Sequence, residues 1–305
     1  MACSEERHKR RTARWPVIPG WTREGDRVLE TARFISWACR LLTDQSDVAP
    51  TTIIGASIPR SGHHYLARLL RGYFGPDLKY CRTYSAKDCC FATPCIRSEG
   101  RRLVYQKSHD LAFRIPTDTP DALYLIQHRS PVANAMSDAE LRRKRAGLLP
   151  PRESLSARYA FYDFLAARLA YYKRFHDKWI VSPPERSVIV AHGTLERDPA
   201  GELSRIVVAA GEPLEQDRLD AVVDDMRDVG RQRAVYAPRV AEDSAFFEPK
   251  ALAAYETAII EHCPAFGYAP TLEPRGYRLH PIWALARLRH AFGAAYPPRR
   301  TAEFE

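Results

Sequence analysis

The sequence has no apolar run long enough to cross a bilayer. Its most apolar early stretch, Phe34-Ile35-Ser36-Trp37-Ala38-Cys39, is closed off by Arg33 and Arg40. The opening residues, MACSEERHKRRTARW, are charged and have no apolar core with a cleavage site behind them. A secretory leader is therefore not expected, and a soluble cytoplasmic protein is. Metal-type cysteine pairs of the C-x₂-C kind are also missing. The seven cysteines are an odd count, and Cys81, Cys89, Cys90 and Cys95 crowd together. In a reducing cytoplasm free thiols are the expectation, with a local disulfide or metal staple as the alternative. No Walker A loop is present. Gly55 and Gly62 stand too far apart for it, and His63-His64 occupy the places of its Lys and Ser/Thr. No zinc-finger, RRM-type or helix-turn-helix signature accompanies the basic residues, so no nucleic-acid partner is expected. No internal repeat or low-complexity tract occurs.

What is present is a basic chain with enough apolar content for a sizeable core. It has 305 residues, 45% of them hydrophobic, and a net charge of +9 from 46 Lys+Arg against 37 Asp+Glu. Such a balance suits nucleic acid, an acidic membrane surface or anionic small ligands. The clusters Lys9-Arg10-Arg11, Arg142-Arg143-Lys144-Arg145 and Arg299-Arg300 are read as solvated surface.

The organising stretch is Thr51 to Leu70, TTIIGASIPRSGHHYLARLL. Thr51, Thr52, Ile53 and Ile54 form a β-branched run suited to a buried strand. Pro59 and Gly62 punctuate a loop. Tyr65, Leu66, Leu69 and Leu70 then recur at helical spacing. A loop that opens a helix offers free N–H groups and the positive end of the helix dipole, which makes it a phosphate seat. An ordinary βα turn with a surface arginine is the alternative.

Three further strands follow from the pattern: Leu103–Lys107, Leu123–Gln127 and Ser187–His192. Helices are expected over Asp26–Leu42, Val132–Leu141, Ser154–Trp179, Leu203–Ala210 and Pro249–Cys263. Residues 80–100 read as an irregular, Cys-rich segment, and this and residues 138–155 are candidate substrate walls. Strands alternating with helices predict an α/β fold, a central parallel β-sheet flanked by helices. Ligands in such sheets sit at the carboxyl ends of the strands, where Arg60, Ser61, Lys107, His109, Arg129 and Ser137 converge. Three parts are expected: a basic arm over 1–24, the main domain over 25–279, and a basic amphipathic tail over 280–305. The tail is expected to dock on the core, with membrane-surface contact as the alternative.

Three elements, in order and spacing, resemble the sulfotransferases that use 3′-phosphoadenosine 5′-phosphosulfate (PAPS). Ile58-Pro59-Arg60-Ser61-Gly62-His63-His64-Tyr65-Leu66 is similar to their 5′-phosphosulfate loop. Lys107-Ser108-His109 is similar to their K-T/S-H element. Leu125 through Ser137, with Arg129 and Pro131 inside it, is similar to their 3′-phosphate element, and its serine lies eight residues after the arginine. Val188–Leu195 with Pro199, and Phe266-Gly267-Tyr268, add fainter echoes. His63-His64 replace the usual hydroxyl residues, and His192-Gly193 replace a Tyr-Glu pair. The R-K-G-x-x-G-D-W element of the animal cytosolic enzymes is missing, with Arg231 or Arg233 as a stand-in, so a more distant branch is implied.

The resemblance implies a P-loop-NTPase-like sulfotransferase fold and transfer of a sulfuryl group from PAPS to a hydroxyl acceptor, a small molecule or glycan, with a carbohydrate or glycolipid favoured. It implies His109 as general base, and Arg60 and Lys107 as cations meeting the leaving 5′-phosphate. Arg60, Ser61, Gly62, His63 and His64 would cradle that phosphate. Arg129 and Ser137 would hold the 3′-phosphate, and Tyr65 would pack on adenine. No metal is expected, because the chain's own cations stabilise the leaving group. A P-loop-like kinase and a catalytically silent nucleotide- or anion-binding protein are the competing readings.

Overall fold

The computed structural model describes residues 51–82, 89–146, 155–232, 249–272 and 281–291. The basic arm and the helix expected over Asp26–Leu42 lie outside the described residues, as do Arg233, Arg299 and Arg300. Strand β1 (Thr51–Ser57) has a β-branched start that leads into a fully buried second half. Helix α1 (His63–Phe74) follows the loop and stops at Gly75, where φ is +55°. Glycine takes that left-handed turn without a Cβ penalty.

Four more strands complete one sheet: β2 (Leu78–Arg82), β3 (Leu103–Ser108), β4 (Leu123–His128) and β5 (Ser187–Ala191). The order is β2-β3-β1-β4-β5 and every pairing is parallel. The chain starts at the centre, winds out to one edge, returns through β3, and then crosses β1 to build the other half. The winding direction reverses at β1, so its carboxyl end is the topological switch point, where a parallel sheet leaves a crevice.

Helices cover both faces, and alternation along each strand divides the core in two. Ile53, Leu103, Tyr105, Leu123, Leu125 and Val190 face α1, α5 (Pro199–Ala209) and α6 (Gln216–Gln232). Ile54, Ala56, Ile58, Tyr124 and Ile126 face α2 (Pro131–Ala146), α3 (Leu155–Phe175), α7 (Pro249–His262) and α8 (Pro281–Ala291). The short α4 (His192–Arg197) links β5 to α5. The α5 start is set by Asp198, whose carboxylate accepts from Gly201 N at 2.8 Å, with Pro199 behind it. On the second face, Arg168 Nη1 donates to Asp138 Oδ2 at 2.7 Å with both side chains nearly fully buried. Removing one partner of such a pair leaves a buried charge and costs about 3–5 kcal/mol.

Several boundaries differ from the sequence reading. Residues 80–82, expected to be irregular, belong to β2, an edge strand too short and polar for an alternation pattern to show. Residues 138–146 continue α2 rather than forming a wall loop. The long aromatic helix ends as α-helix at Phe175 and passes into a π-turn over His176–Val181. His192 starts α4 instead of ending β5. In the tail helix, Trp283 and Ala286 are buried in the core that α3 lines. Among the described residues, no helix is long and apolar enough to cross a membrane.

Candidate active site

The crevice at the end of β1 is floored by Ser57 and roofed by the loop into α1. Two residues of that loop take left-handed backbone: Arg60 at φ +71° and Gly62 at φ +79°. For arginine this is a strained conformation, held by its surroundings. At Gly62 a Cβ would lie 2.0 Å from Cδ2 of His192, so the imidazole seats directly on the glycine. His192 is held there by Glu196, one turn on, through Nδ1 to Oε2 at 2.9 Å. Gly62, at the N-terminus of α1, has no side chain to cap the helix. The first N–H groups of any helix have no intrahelical partner, so this end favours an anion.

Asn134, fully buried on α2, ties the loop down. Its Nδ2 donates to Pro59 O at 2.8 Å and to Ser61 Oγ at 3.2 Å. Arg60 Nε donates to Ser137 Oγ at 3.0 Å, which links the expected 5′-phosphate loop to the expected 3′-phosphate helix. His63 is buried, and its Nε2 has no hydrogen-bond partner among the described residues. Burial first, then the charges of Lys107, His109, His64 and Arg60, drive the His63 pKa far below the ordinary histidine value. His64 is pulled down to about 4 by burial and then by Lys107, Arg82, Arg60 and Arg68. Both rings are neutral at pH 7.

His109 sits just past β3 and is buried. Its Nδ1 lies 2.9 Å from Ser57 O and 3.0 Å from Ser57 Oγ. A carbonyl can only accept, so Nδ1 carries the hydrogen in the neutral ring. Nε2 is then the acceptor, and Lys107 Nζ stands 3.0 Å from it. Tyr171 on α3 donates to His109 O at 2.5 Å. The next residue, Asp110, accepts from Ile115 N, Lys178 Nζ and Trp179 Nε1 at 3.0, 2.7 and 3.1 Å. The His63 and His109 rings meet edge to face at 4.9 Å, so base candidate and loop adjoin.

On the other flank, Arg129 follows β4 and is half-buried; burial lowers its pKa against the opposing field of Glu196 and that of Tyr172. Its carbonyl accepts from Tyr268 at 2.8 Å and Tyr172 at 3.2 Å. With its hydrogen on Arg129 O, the Tyr268 oxygen accepts from His128 Nδ1 at 2.8 Å. Tyr65 is half-buried and packs on the core face of α1.

The structure thus brings Arg60 to Ser137, Ser61 to Asn134, and Lys107 to His109 and the His63 ring. It places Arg129 near Glu196, with its carbonyl on the Tyr172 and Tyr268 hydroxyls. The side chain of Arg231 lies outside the described residues. Ser57, Asn134, Tyr171 and Asp110 were not legible as site residues. Asn134 alone carried a signal, as a polar residue on the buried side of an otherwise apolar helical turn. A groove of about 500 Å³ between α1 and α6, lined by Arg68, Gly72, Arg218 and Asp225 among others, involves none of these residues.

No family model matches this sequence, and no curated protein does. Solved structures do. The crystal structure of mouse sulfotransferase SULT7A1 complexed with PAP aligns with 70% of this chain and 83% of its own, at 14% identity and a TM-score of 0.52. A sulfotransferase from Alicyclobacillus acidocaldarius aligns over 64% and 99% at 20% identity, TM-score 0.34. The sulfotransferase domain of the Synechococcus PCC 7002 olefin synthase aligns over 74% and 98% at 16% identity, TM-score 0.40. With its five parallel strands and flanking helices, this chain shares the fold of the mouse sulfotransferase.

Proposed function

We propose that this chain transfers a sulfuryl group from PAPS to a hydroxyl of a small molecule or glycan, with a carbohydrate or glycolipid favoured. The observation that carries the reading is the Lys107–His109 contact of 3.0 Å, set against the uncapped start of α1. A lone-pair nitrogen and a buried ammonium share one strand end, which is what removal of a hydroxyl proton and stabilisation of a departing phosphate require. The residues fit such a donor in two respects. The His63 Nε2 is buried without a partner among the described residues, and Gly62 at the start of α1 has no side chain to cap its N–H groups. The mouse neighbour's complex with PAP supports the same nucleotide here.

PAPS supplies a sulfuryl group already activated by its bond to a 5′-phosphate. The chain's residues do the rest. The acceptor hydroxyl takes the place of Lys107 at His109 Nε2 and gives up its proton there. Lys107, released from the imidazole, joins Arg60 in opposing negative charge at the 5′-phosphate. Ser57 holds the His109 ring from its Nδ1 side and Tyr171 holds the His109 backbone carbonyl, so base and acceptor stay in line. Ser61, with Asn134 on its oxygen, keeps its hydroxyl hydrogen for a phosphate oxygen. Arg129 and Ser137 are assigned to the 3′-phosphate, and Tyr65 to the adenine. No step needs a metal ion.

Isothermal titration with PAP tests this. Wild-type binding that weakens in Arg129→Ala, with no comparable binding of ATP or ADP, is the expected result. Failure to bind PAP, or equal binding of ATP, would overturn the reading in favour of a kinase or a silent scaffold.

A further inference from the structure

The edge of the sheet farthest from β5 carries a cluster that sulfuryl transfer does not use. Cys81 lies on β2, and Cys89, Cys90 and Cys95 lie on the segment that follows. Their sulfurs gather in one place. Cys81 Sγ is 4.0 Å from Cys89 Sγ, and Cys90 Sγ is 3.4 Å from Cys95 Sγ. The sulfurs of Cys81, Cys90 and Cys95 all lie within 4.8 Å of one another. Cys81, Cys89 and Cys95 are buried, and Val104 of β3 closes the cluster from below.

Two disulfides are one way to use four thiols. They would pair Cys81 with Cys89 and Cys90 with Cys95. Both contacts are far longer than a disulfide bond of about 2.05 Å. The cluster also does not separate into those pairs, because Cys81 adjoins Cys90 and Cys95 as well as Cys89. A tetrahedral centre has the opposite requirement, that the sulfurs adjoin one another, which Cys81, Cys90 and Cys95 meet, with Cys89 joined to the set through Cys81. With Zn–S bonds of about 2.3 Å, the edges of an S₄ tetrahedron are about 3.8 Å long. The two measured contacts, 4.0 and 3.4 Å, bracket that value. The same close spacing is too small to enclose a multi-iron cluster. A soft, all-thiolate tetrahedral set selects zinc.

We propose that Cys81, Cys89, Cys90 and Cys95 form a structural zinc site that staples this segment to the sheet edge. The support around the sulfurs is of the kind that orients ligands. Phe91 N donates to Cys89 Sγ at 3.2 Å. Gln106 of β3 donates through Nε2 to Ala92 O at 2.6 Å and to Thr93 Oγ1 at 3.3 Å, so the turn between Cys90 and Cys95 is fixed to the same strand. Binding would release four thiol protons to solvent and leave a closed, four-coordinate ion with no position for substrate.

The placement gives the staple a consequence. Cys81 pairs with Gln106 in the sheet register, and the next pair is Arg82 with Lys107. The zinc would hold the segment carrying Phe91 and Ile96, both exposed, one register step from the lysine at the candidate active site. It would therefore shape one wall of the acceptor entrance. The proposal itself does not depend on the sulfotransferase reading, since its tests need no turnover.

The test is the metal content of the full chain purified without chelator, by mass spectrometry of the metals. One zinc per chain is expected, retained in Cys263→Ser, whose buried thiol lies outside the cluster. Cys81→Ser and Cys90→Ser should each lose it. Should these variants fail to fold, the wild type still decides. Cobalt(II) added to the zinc-stripped chain should give the intense visible bands and thiolate charge-transfer absorption of a tetrahedral S₄ site. Metal-free protein that gives no such spectrum, an intact mass showing two disulfides, or stoichiometric iron in place of zinc would each overturn the proposal.

Discussion

The two flanks of β1 are built differently. On the β3 side, Lys107 and His109 present a cation and a nitrogen lone pair to each other, beside an imidazole, His63, whose Nε2 is unpartnered among the described residues. On the β4 side, His128, Arg129, Tyr172 and Tyr268 satisfy one another through the Arg129 carbonyl and the Tyr268 hydroxyl. A polar group buried without a partner costs stability. The first flank therefore stores that cost where a ligand can relieve it. The second also buries a group with no partner among the described residues, the Gln127 amide one residue before His128, but its charged residue, Arg129, is fixed through a backbone carbonyl that already has two partners.

If that contrast is right, substitutions on the first flank should affect turnover and those on the second affinity. The largest effect is expected from His109→Ala: turnover with PAPS and a phenolic or sugar acceptor should fall by about 10²–10⁴-fold, with PAP affinity nearly unchanged. A loss of PAP binding of the same size would erase the contrast. Gly62→Ala comes next. Its φ of +79° and the 2.0 Å approach of His192 add strain to a displaced imidazole. Backbone strain alone is worth about 1–3 kcal/mol, so calorimetry should show a lower melting temperature together with weakened PAP binding.

Arg129→Ala should weaken PAP roughly tenfold to a hundredfold, as expected for lost hydrogen bonds to a charged group, while thermal stability barely moves. Tyr268→Phe should cost about 1 kcal/mol of stability and leave His109-dependent turnover intact. A turnover defect there would show that the flanks are coupled.

The smallest and broadest effect is on pH. The folded pKa of His128 is held down to about 4 by burial, and that of His63 lies lower still. Between the ordinary histidine value of 6.5 and those folded values, the unfolded chain binds more protons than the folded one. Stability then rises with pH. The unliganded chain should lose melting temperature steadily from pH 7 to pH 5, and His63→Gln should remove part of the slope. A flat profile would mean that neither ring is buried as described.

Much of the first flank was legible in the sequence. The β-branched run at Thr51–Ile54, the Pro59–Gly62 punctuation and the spacing of Leu66, Leu69 and Leu70 placed strand, loop and helix. Lys107 and His109 at a strand end placed the cation and the base candidate. These are local patterns, and a helix or a buried strand writes its period into neighbouring residues. The β2 strand was missed because an edge strand is exposed on one side, and Leu78–Arg82 is too short for its alternation to show. The same lack of a local signal hid Ser57, Tyr171 and Asp110.

What the sequence determined alone was the α/β class, the parallel strands and the single loop that opens α1, because each rests on contacts between near neighbours in the chain. The tertiary structure decided which distant groups meet: Arg60 with Ser137, His192 over Gly62, Tyr268 on Arg129, and Cys81 with Cys90 and Cys95. Those meetings depend on the order in which the strands assemble, and no stretch of a dozen residues carries that order.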